Sequence, residues 1–413
     1  MRTMKYLFDY ANDKGLPIVD KQSFNRLTDI YGKESFRNDL SKYIATQRPA
    51  FPLNNITEEE MRKTFFELKN KDVWDYIIPK EQLQRNVKEK YDDYKYNFKE
   101  HGLGLIDAPN IHNDVSNYFQ QELRMYCSSY SYKGPLDTWY NGNEKDIWRT
   151  LGALWRGVNS SGDLSDASYR EAIRLGTYIA TQFKPNVAKS IYQMTNAKKV
   201  LDTSCGWGDR LAGFFTSDAE EYIGCDPNPN TYNNYMKQIE MYNSFLSKPK
   251  KVTIYRCGAE NLPWERIKDI DCAFTSPPYF ATEEYNKGGD NEQDQSWYKF
   301  NEYEKWRDDF YLPVAEKSFN SLSSTGHLLV NIMDPQIKNK RYRSCDELVD
   351  RLINNFVGQI GMRIMQRPKS DKLFETEEEK KEFRDRYFIE NIWCFSKDTN
   401  FDFFRHSRRA TLF

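Results

Sequence analysis

The stretch Val200-Leu201-Asp202-Thr203-Ser204-Cys205-Gly206-Trp207-Gly208-Asp209-Arg210 sets the fold expected of this chain. A short apolar run ends in a Gly-x-Gly turn that leads into a helical pattern, as where a parallel strand hands over to a helix in an open α/β sheet. Around it, Lys199 to Thr203 is the first of several short β runs, followed by Glu221 to Cys225, Lys251 to Cys257, Asp271 to Thr275 and His327 to Ile332. Helical stretches separate most of them, which predicts βαβ units and a mostly parallel sheet. Gly361 to Gln366 and Asn391 to Ser396 are expected to close it, with Glu375 to Arg386 an exposed helix or loop between them. Ser344 and Glu347, ahead of the apolar run Leu348 to Val357, read as a capping box opening a further helix.

Upstream the grammar differs. Residues 1–180 carry apolar positions at three- and four-residue spacing, for instance in Glu58 to Leu68, Val115 to Cys127 and Asp163 to Ala180, so a mostly helical N-terminal domain is expected. Lys80 to Glu100 interleaves Lys and Arg with Tyr and Phe; a charged helix with a buried aromatic stripe is the preferred reading, a nucleic-acid surface the other. The division is thus 1–180 helical, a nucleotide-type α/β domain over 181–400, and a basic tail over 401–413.

Composition narrows the class. The 413 residues suffice for two domains, and aromatic residues make up 15% of the chain, which argues against disorder. A mean hydropathy of -0.84 and the lack of a long apolar run point to a cytoplasmic protein with no membrane partner. Seven cysteines without a Cys-x-x-Cys pair, and four histidines, fit a reduced compartment and suggest no metal site. The net charge of -1 gives no global case for nucleic acid, so any such case is local. Two clusters qualify: Lys338, Lys340, Arg341 and Arg343 in one loop, and Arg405, Arg408 and Arg409 beside His406 near the end.

Two motifs carry chemistry. Asp226 follows Gly206 by 20 residues, at the end of the next β run, where a carboxylate accepts both ribose hydroxyls of an adenosine. A dinucleotide fingerprint wants a third glycine where Leu211 stands, and no Lys-Ser or Lys-Thr follows the glycines as in a phosphate loop. A nucleoside without phosphates remains, and S-adenosylmethionine fits. The second motif is Thr275-Ser276-Pro277-Pro278-Tyr279-Phe280 after the fourth run. Two prolines stiffen the backbone, so the Ser276 side chain and the Pro277 carbonyl become fixed acceptors beside the flat face of Tyr279. Such a constellation suits a planar substrate bearing an NH2 group.

Together these residues resemble the exocyclic-amino DNA methyltransferases, which methylate the amine of cytosine or adenine. The resemblance covers about residues 183–397 and implies an α/β, Rossmann-like class I methyltransferase sheet with helices on both faces. The family's Phe-x-Gly-x-Gly turn has Cys205 in place of Phe, and its tetrapeptide of Asp, Asn or Ser before Pro-Pro-aromatic is matched by Ser276, Pro277, Pro278 and Tyr279. Phe183-Lys184-Pro185 is similar to the segment over the methionine end of the cofactor, and Ala259-Glu260 to the adenine contact. By the same resemblance Asp202, Ser204, Cys205, Gly206, Gly208, Asp226, Pro227 and Thr275 line the cofactor site. Gly326-His327 through Asp334, and Glu390 through Lys397, look like the family's fifth and last strands.

What this implies is direct methyl transfer from S-adenosylmethionine to a base amine, with cytosine-N4 favoured by the Ser form and adenine-N6 next. The implied partner is DNA, as a duplex with a flipped base or as a single strand. RNA or protein-glutamine methylation, and a non-catalytic binding protein of the same fold, are the alternatives. The short connections leave little room for a target-recognition segment, so residues 1–180 are expected to form one wall of the substrate cleft, with Lys338, Lys340, Arg341 and Arg343 on phosphates. The paired carboxylates Glu283 and Glu284 read as loop surface.

Overall fold

The computed structural model describes every residue except 1–3, 130, 131, 157, 158, 160, 367, 368, 370 and 406–413. Arg408, Arg409 and His406 therefore lie outside the described residues. The chain divides into two compact units.

The first unit comprises Met1–Ile56, Gln121–Thr181 and Glu283–Lys287. Its helices Lys21–Tyr31, Lys33–Gln47, Pro135–Asn141, Glu144–Leu151 and Asp166–Gly176 bury an apolar face that includes Phe36, Leu40, Trp139, Leu151 and Tyr169. Asp20, Asn143 and Ser165 cap the N-termini of three of them through their side chains. Glu283 and Glu284, read from the sequence as loop surface, form a two-residue strand against Ser128–Ser129, and Glu283 accepts the Thr181 N–H at 3.1 Å.

The second unit, Thr57–Gln120, Gln182–Thr282 and Gly288–Phe413, is built on a ten-stranded sheet. Its strands are β1 Ile77–Pro79, β2 Val87–Lys88, β3 Gly102–Asp107, β4 Lys199–Asp202, β5 Glu221–Cys225, β6 Lys251–Tyr255, β7 Ile270–Thr275, β8 Leu322–Asn331, β9 Phe356–Arg363 and β10 Tyr387–Ser396. The order is β1-β3-β9-β10-β8-β7-β4-β5-β6, with β2 beside β10. From β4 to β8 every pairing is parallel, whereas β10 is antiparallel to both β8 and β9. The order β6-β5-β4-β7-β8-β10-β9, with β10 antiparallel to its neighbours, is the class I methyltransferase sheet, extended here by β3 and β1, and helices lie on both its sides. The β runs read from the sequence all lie within it, to within a few residues at their ends.

Three departures from the sequence reading have physical causes. The boundary drawn at residue 180 does not follow the structure, because β3 pairs in parallel with β9 and carries residues 57–120 into the sheet unit. Lys80 to Glu100 is not one helix; after a three-residue turn and β2 it runs irregularly as far as the short helix Phe98–His101, since its aromatic and charged side chains find tertiary partners rather than helical neighbours. Tyr94 is buried against Trp393, and Lys95 and Tyr96 both hydrogen-bond Asp350 at 2.6 Å. The Ser344–Glu347 capping box does not form. The helix begins with Ser344 itself, its Cys345 N–H is accepted by Asp334 at 3.0 Å, and Glu347 turns away to Tyr303 and Arg307.

Four helices of this unit carry or support residues of the two motifs: α1 Glu58–Asn70, α2 Pro185–Met194, α3 Asp209–Thr216 and α4 Pro229–Ser244. Lys189 on α2, 2% exposed, gives its ammonium to the carbonyls of Leu68, Lys69 and Lys71, closing the open end of α1.

Candidate active site

The strand order reverses direction between β4 and β7: β5 and β6 follow on one side of β4, β8 on the other side of β7. In an open parallel sheet the crevice for a ligand opens at such a point, outside the carboxyl ends of the strands. Both sequence motifs end there. Thr203, just past β4, and Thr275, the last residue of β7, join their hydroxyls at 3.1 Å, so the Gly-x-Gly turn and Ser276–Tyr279 leave the sheet side by side.

The turn is held from beneath. Asp202 is fully buried and accepts Arg210 Nε at 2.8 Å, the Tyr222 hydroxyl at 2.6 Å and the Ser204 N–H at 3.1 Å. Arg210 also donates to the Ser204 carbonyl. Burial opposes the guanidinium charge and Asp202 more than restores it, so Arg210 stays protonated. Asp202, named from the sequence as lining the ligand site, thus shapes the turn from below. Cys205 likewise points inward, 1% exposed, against Tyr222 and the Cα of Gly224. Gly206 and Gly208 both take left-handed backbone, φ 58° and 73°. A Cβ on Gly208 would overlap the Gln238 side chain, whereas one on Gly206 would meet nothing nearer than the Ser204 carbonyl at 3.7 Å.

Asp226 closes the far side of the turn. Its Oδ1 accepts the Asn228 N–H at 2.9 Å and the Thr231 hydroxyl at 3.1 Å; its Oδ2 accepts the Gly206 N–H at 3.2 Å and the Tyr235 hydroxyl at 3.0 Å. Burial raises its pKa to about 6, against these hydrogen bonds, which favour the charged form. Two of the donors have a choice. Thr231 also reaches the Asn228 carbonyl and Tyr235 the Gly206 carbonyl, and each hydroxyl has one hydrogen to give. Turning both away frees two acceptor positions on Asp226, the number a ribose diol requires. Pro227 is half-buried beside it. Beyond β6, Ala259 is buried and Glu260 accepts Lys299 at 2.8 Å.

Phe183 sits edge-on to Phe274 of β7 at 5.5 Å, with the Arg210 guanidinium 5.3 Å from its ring centre, and Pro185 opens α2. Gln182 bridges the Asn113 carbonyl, Ser116 and Asp209, and Lys184 donates to Asn110. Residues 107–116 thus flank the start of α3, a role that nothing in their own sequence marks. Thr231 and Tyr235 were missed for the same reason: Thr and Tyr on a helix are ordinary residues.

On the other side of the switch point, Ser276 is half-buried and Pro277 buried, and the Pro278 carbonyl accepts the Phe280 N–H at 2.9 Å. Phe280 is forced to φ 52°, rare for a bulky residue, and is 5% exposed among Tyr303, Trp306 and Tyr342. Tyr279 directs its hydroxyl to the carboxylate of Glu390 on β10 and to the Asn331 carbonyl at 3.2 Å. Burial raises its pKa and Glu390 adds to this, so the phenol stays protonated and donates. A glutamate inside the apolar run Phe388 to Phe395 was the signal that sequence reading passed over.

Two of the four loop cations form ion pairs within the unit. Arg341 pairs with Asp334 at 2.7 Å and with Asp93, and Arg343 with Asp93 and with Asp346 at 3.1 Å. Lys338 and Lys340 are exposed. Among the described residues no cluster of His, Cys, Asp and Glu is arranged to hold a metal ion, and no helix is long and apolar enough to cross a membrane.

Comparison with known proteins agrees with this geometry over one segment. Residues 270–410 match the family model of the DNA methylases, a stretch that runs from β7 through the Ser-Pro-Pro-Tyr motif to β10. Over that segment the chain is similar to the DNA methylases. The sheet unit is therefore that of a methyltransferase. Among solved structures, similar folds include an rRNA methylase from Streptococcus thermophilus, 11% identical over 52% of this chain and 98% of that one, with a TM-score of 0.30. TrmN from Thermus thermophilus is 13% identical over 52% and 49%, also at 0.30. Spermidine synthase from Thermotoga maritima is 13% identical over 52% and 59%, at 0.31. Likenesses this distant carry no argument about the methyltransferase's substrate, and its fold rests on the order and direction of its strands. No curated protein matches the chain.

Proposed function

We propose that this methyltransferase transfers a methyl group from S-adenosylmethionine to the exocyclic amine of a DNA base, cytosine-N4 first and adenine-N6 next. The observation that carries the reading is the Thr203–Thr275 contact, which brings a nucleoside-type turn and an amine-type motif to one crevice. The residues fit the cofactor: Gly206 leaves its Cβ space open, and Asp226 can free two acceptor positions for a ribose. Gly206, Gly208, Asp226 and Pro227 would hold the nucleoside, Ala259 and Glu260 would flank the adenine, and Phe183 and Pro185 would cover the methionine end. When bound, the cofactor supplies an electrophilic methyl group on a sulfonium.

The chain's own residues have the harder task. An aromatic amine is a poor nucleophile because its lone pair is delocalised into the ring. Ser276 and the Pro277 carbonyl draw on the amine hydrogens and so localise that lone pair, while Tyr279 holds the ring and faces the positive charge that develops on it. In a duplex the base must first leave the stack. The test is mass spectrometry of nucleosides from the DNA and RNA of cells expressing the protein, with digested protein screened for methylglutamine. N4-methylcytosine or N6-methyladenine in DNA, lost with Tyr279→Ala, is the expected result. Methylation confined to RNA or to glutamine overturns the assignment to DNA, and no methylated product in any of the three overturns the enzymatic reading.

A further inference from the structure

The Tyr279 hydroxyl ends on two neighbouring strands. Its acceptors are the Glu390 carboxylate on β10 and the carbonyl of Asn331, the last residue of β8, and Asn331 is itself paired with Ile392 in the β8–β10 ladder. The side chain of Asn331 adds a second tie, donating to the Asn391 carbonyl at 3.1 Å. The two acceptors therefore move only with the sheet. Glu390 is 8% exposed between Ile389 and the fully buried Asn391. A carboxylate is costly in such a place unless it is hydrogen-bonded, so it is a poor choice for filling a strand. The backbone after Tyr279 is pinned as well, through the strained and buried Phe280.

We infer that Glu390 is a positioning residue that holds the Tyr279 ring in the plane a substrate base requires. This rests on the base-stacking role proposed for Tyr279. With its hydroxyl tied to β10 and its backbone fixed by Pro277, Pro278 and Phe280, the ring is held at both ends, and because a phenolic O–H prefers to lie in the plane of its ring, an acceptor fixed on β10 also sets that plane. A small misplacement of a group that orients a substrate costs up to about 100-fold in rate.

The experiment is single-turnover methyl transfer to DNA by the full chain, with S-adenosylhomocysteine affinity and melting temperature measured on each variant. Glu390→Ala is expected to slow transfer by roughly 10- to 100-fold with cofactor affinity unchanged. Glu390→Gln, which keeps an acceptor, is expected to recover most of that loss. Tyr279→Phe is expected to cost at least as much, since it also gives up the Asn331 carbonyl, and Glu390→Ala on top of it little more, because the contact the two residues share is already gone. A wild-type rate in Glu390→Ala, or losses that multiply in the double variant, would overturn the inference. Ultraviolet resonance Raman difference spectra of wild type against Tyr279→Phe report the hydroxyl's donor state whether or not a methyl group is transferred. The Tyr279 signal should shift in Glu390→Ala; an unshifted signal refutes the clamp, and a shifted one in a chain that methylates nothing refutes only the proposed function.

Discussion

Arg210 and Asp202 form an ion pair at 2.8 Å with both side chains essentially out of solvent, 4% and 0% exposed. Breaking it from one side leaves a buried charge without its partner. Arg210→Ala should therefore destabilise the sheet unit by about 3–5 kcal/mol, read as a lowered midpoint in urea. A loss under about 1 kcal/mol would mean that water or a rearranged Ser204 turn compensates the aspartate.

Gly206 and Gly208 share a left-handed backbone but differ in what a side chain would meet. Alanine at Gly206 should cost about 1–2 kcal/mol of stability from its backbone alone, yet lower S-adenosylhomocysteine affinity strongly by filling the open cradle. Gly208→Val should unfold the turn by displacing Gln238, losing stability and affinity together. Calorimetry that finds Gly206→Ala binding as wild type would remove the turn from the ligand site.

The pKa of Asp226, raised to about 6, gives the cofactor site a pH dependence. Above that value the carboxylate is ionised and accepts hydroxyl donors; below it the added proton occupies an acceptor position. Affinity for S-adenosylhomocysteine should fall between pH 7.5 and pH 5. For the fold the sign is opposite: a raised carboxyl pKa stabilises most when the group is protonated, and that contribution disappears as pH rises through 6. Affinity that is flat from pH 7.5 to 5 would show that Asp226 does not meet the ligand.

Tyr279→Ala should abolish methyl transfer while leaving cofactor affinity within about threefold, since the ring belongs to the base side of the crevice. Ser276→Ala should slow transfer less, because the Pro277 carbonyl remains as acceptor. Near-normal turnover by Tyr279→Ala would dismiss the proposed base pocket.

A fragment beginning at Thr181 lacks β3, so the edge of β9 and the side chains Ile360 and Met362 would be uncovered. An open apolar edge is a site for aggregation. The fragment should be insoluble or fail to bind S-adenosylhomocysteine. A soluble fragment that binds like the full chain would show that β1–β3 are dispensable additions to the sheet.

The parts of this molecule legible in its sequence are those where local pattern and tertiary role coincide. β4, β5, β7 and most of β8 read as apolar runs because strands buried on both faces need them, and the Gly206–Gly208 turn reads because its backbone demands glycine. Gly102–Asp107 escaped notice, being a short run within a helical half whose partner β9 lies far along the chain. The pairing of Arg341 and Arg343 with Asp93 was not legible, because Asp93 is distant in sequence. Ser344 and Glu347 had the spacing of a capping box, but Asp334 reaches the helix end first.

The parallel pairing of β3 with β9 also bears on the order in which the protein is made. Asp107 and Arg363, partners across that pairing, stand 256 residues apart. At about 5–20 residues per second, a ribosome needs on the order of 10–50 s to deliver the second after the first. Throughout that interval β3 can pair only with β1, made just before it, so the edge that faces β9 stays open until Phe356–Arg363 has been synthesised.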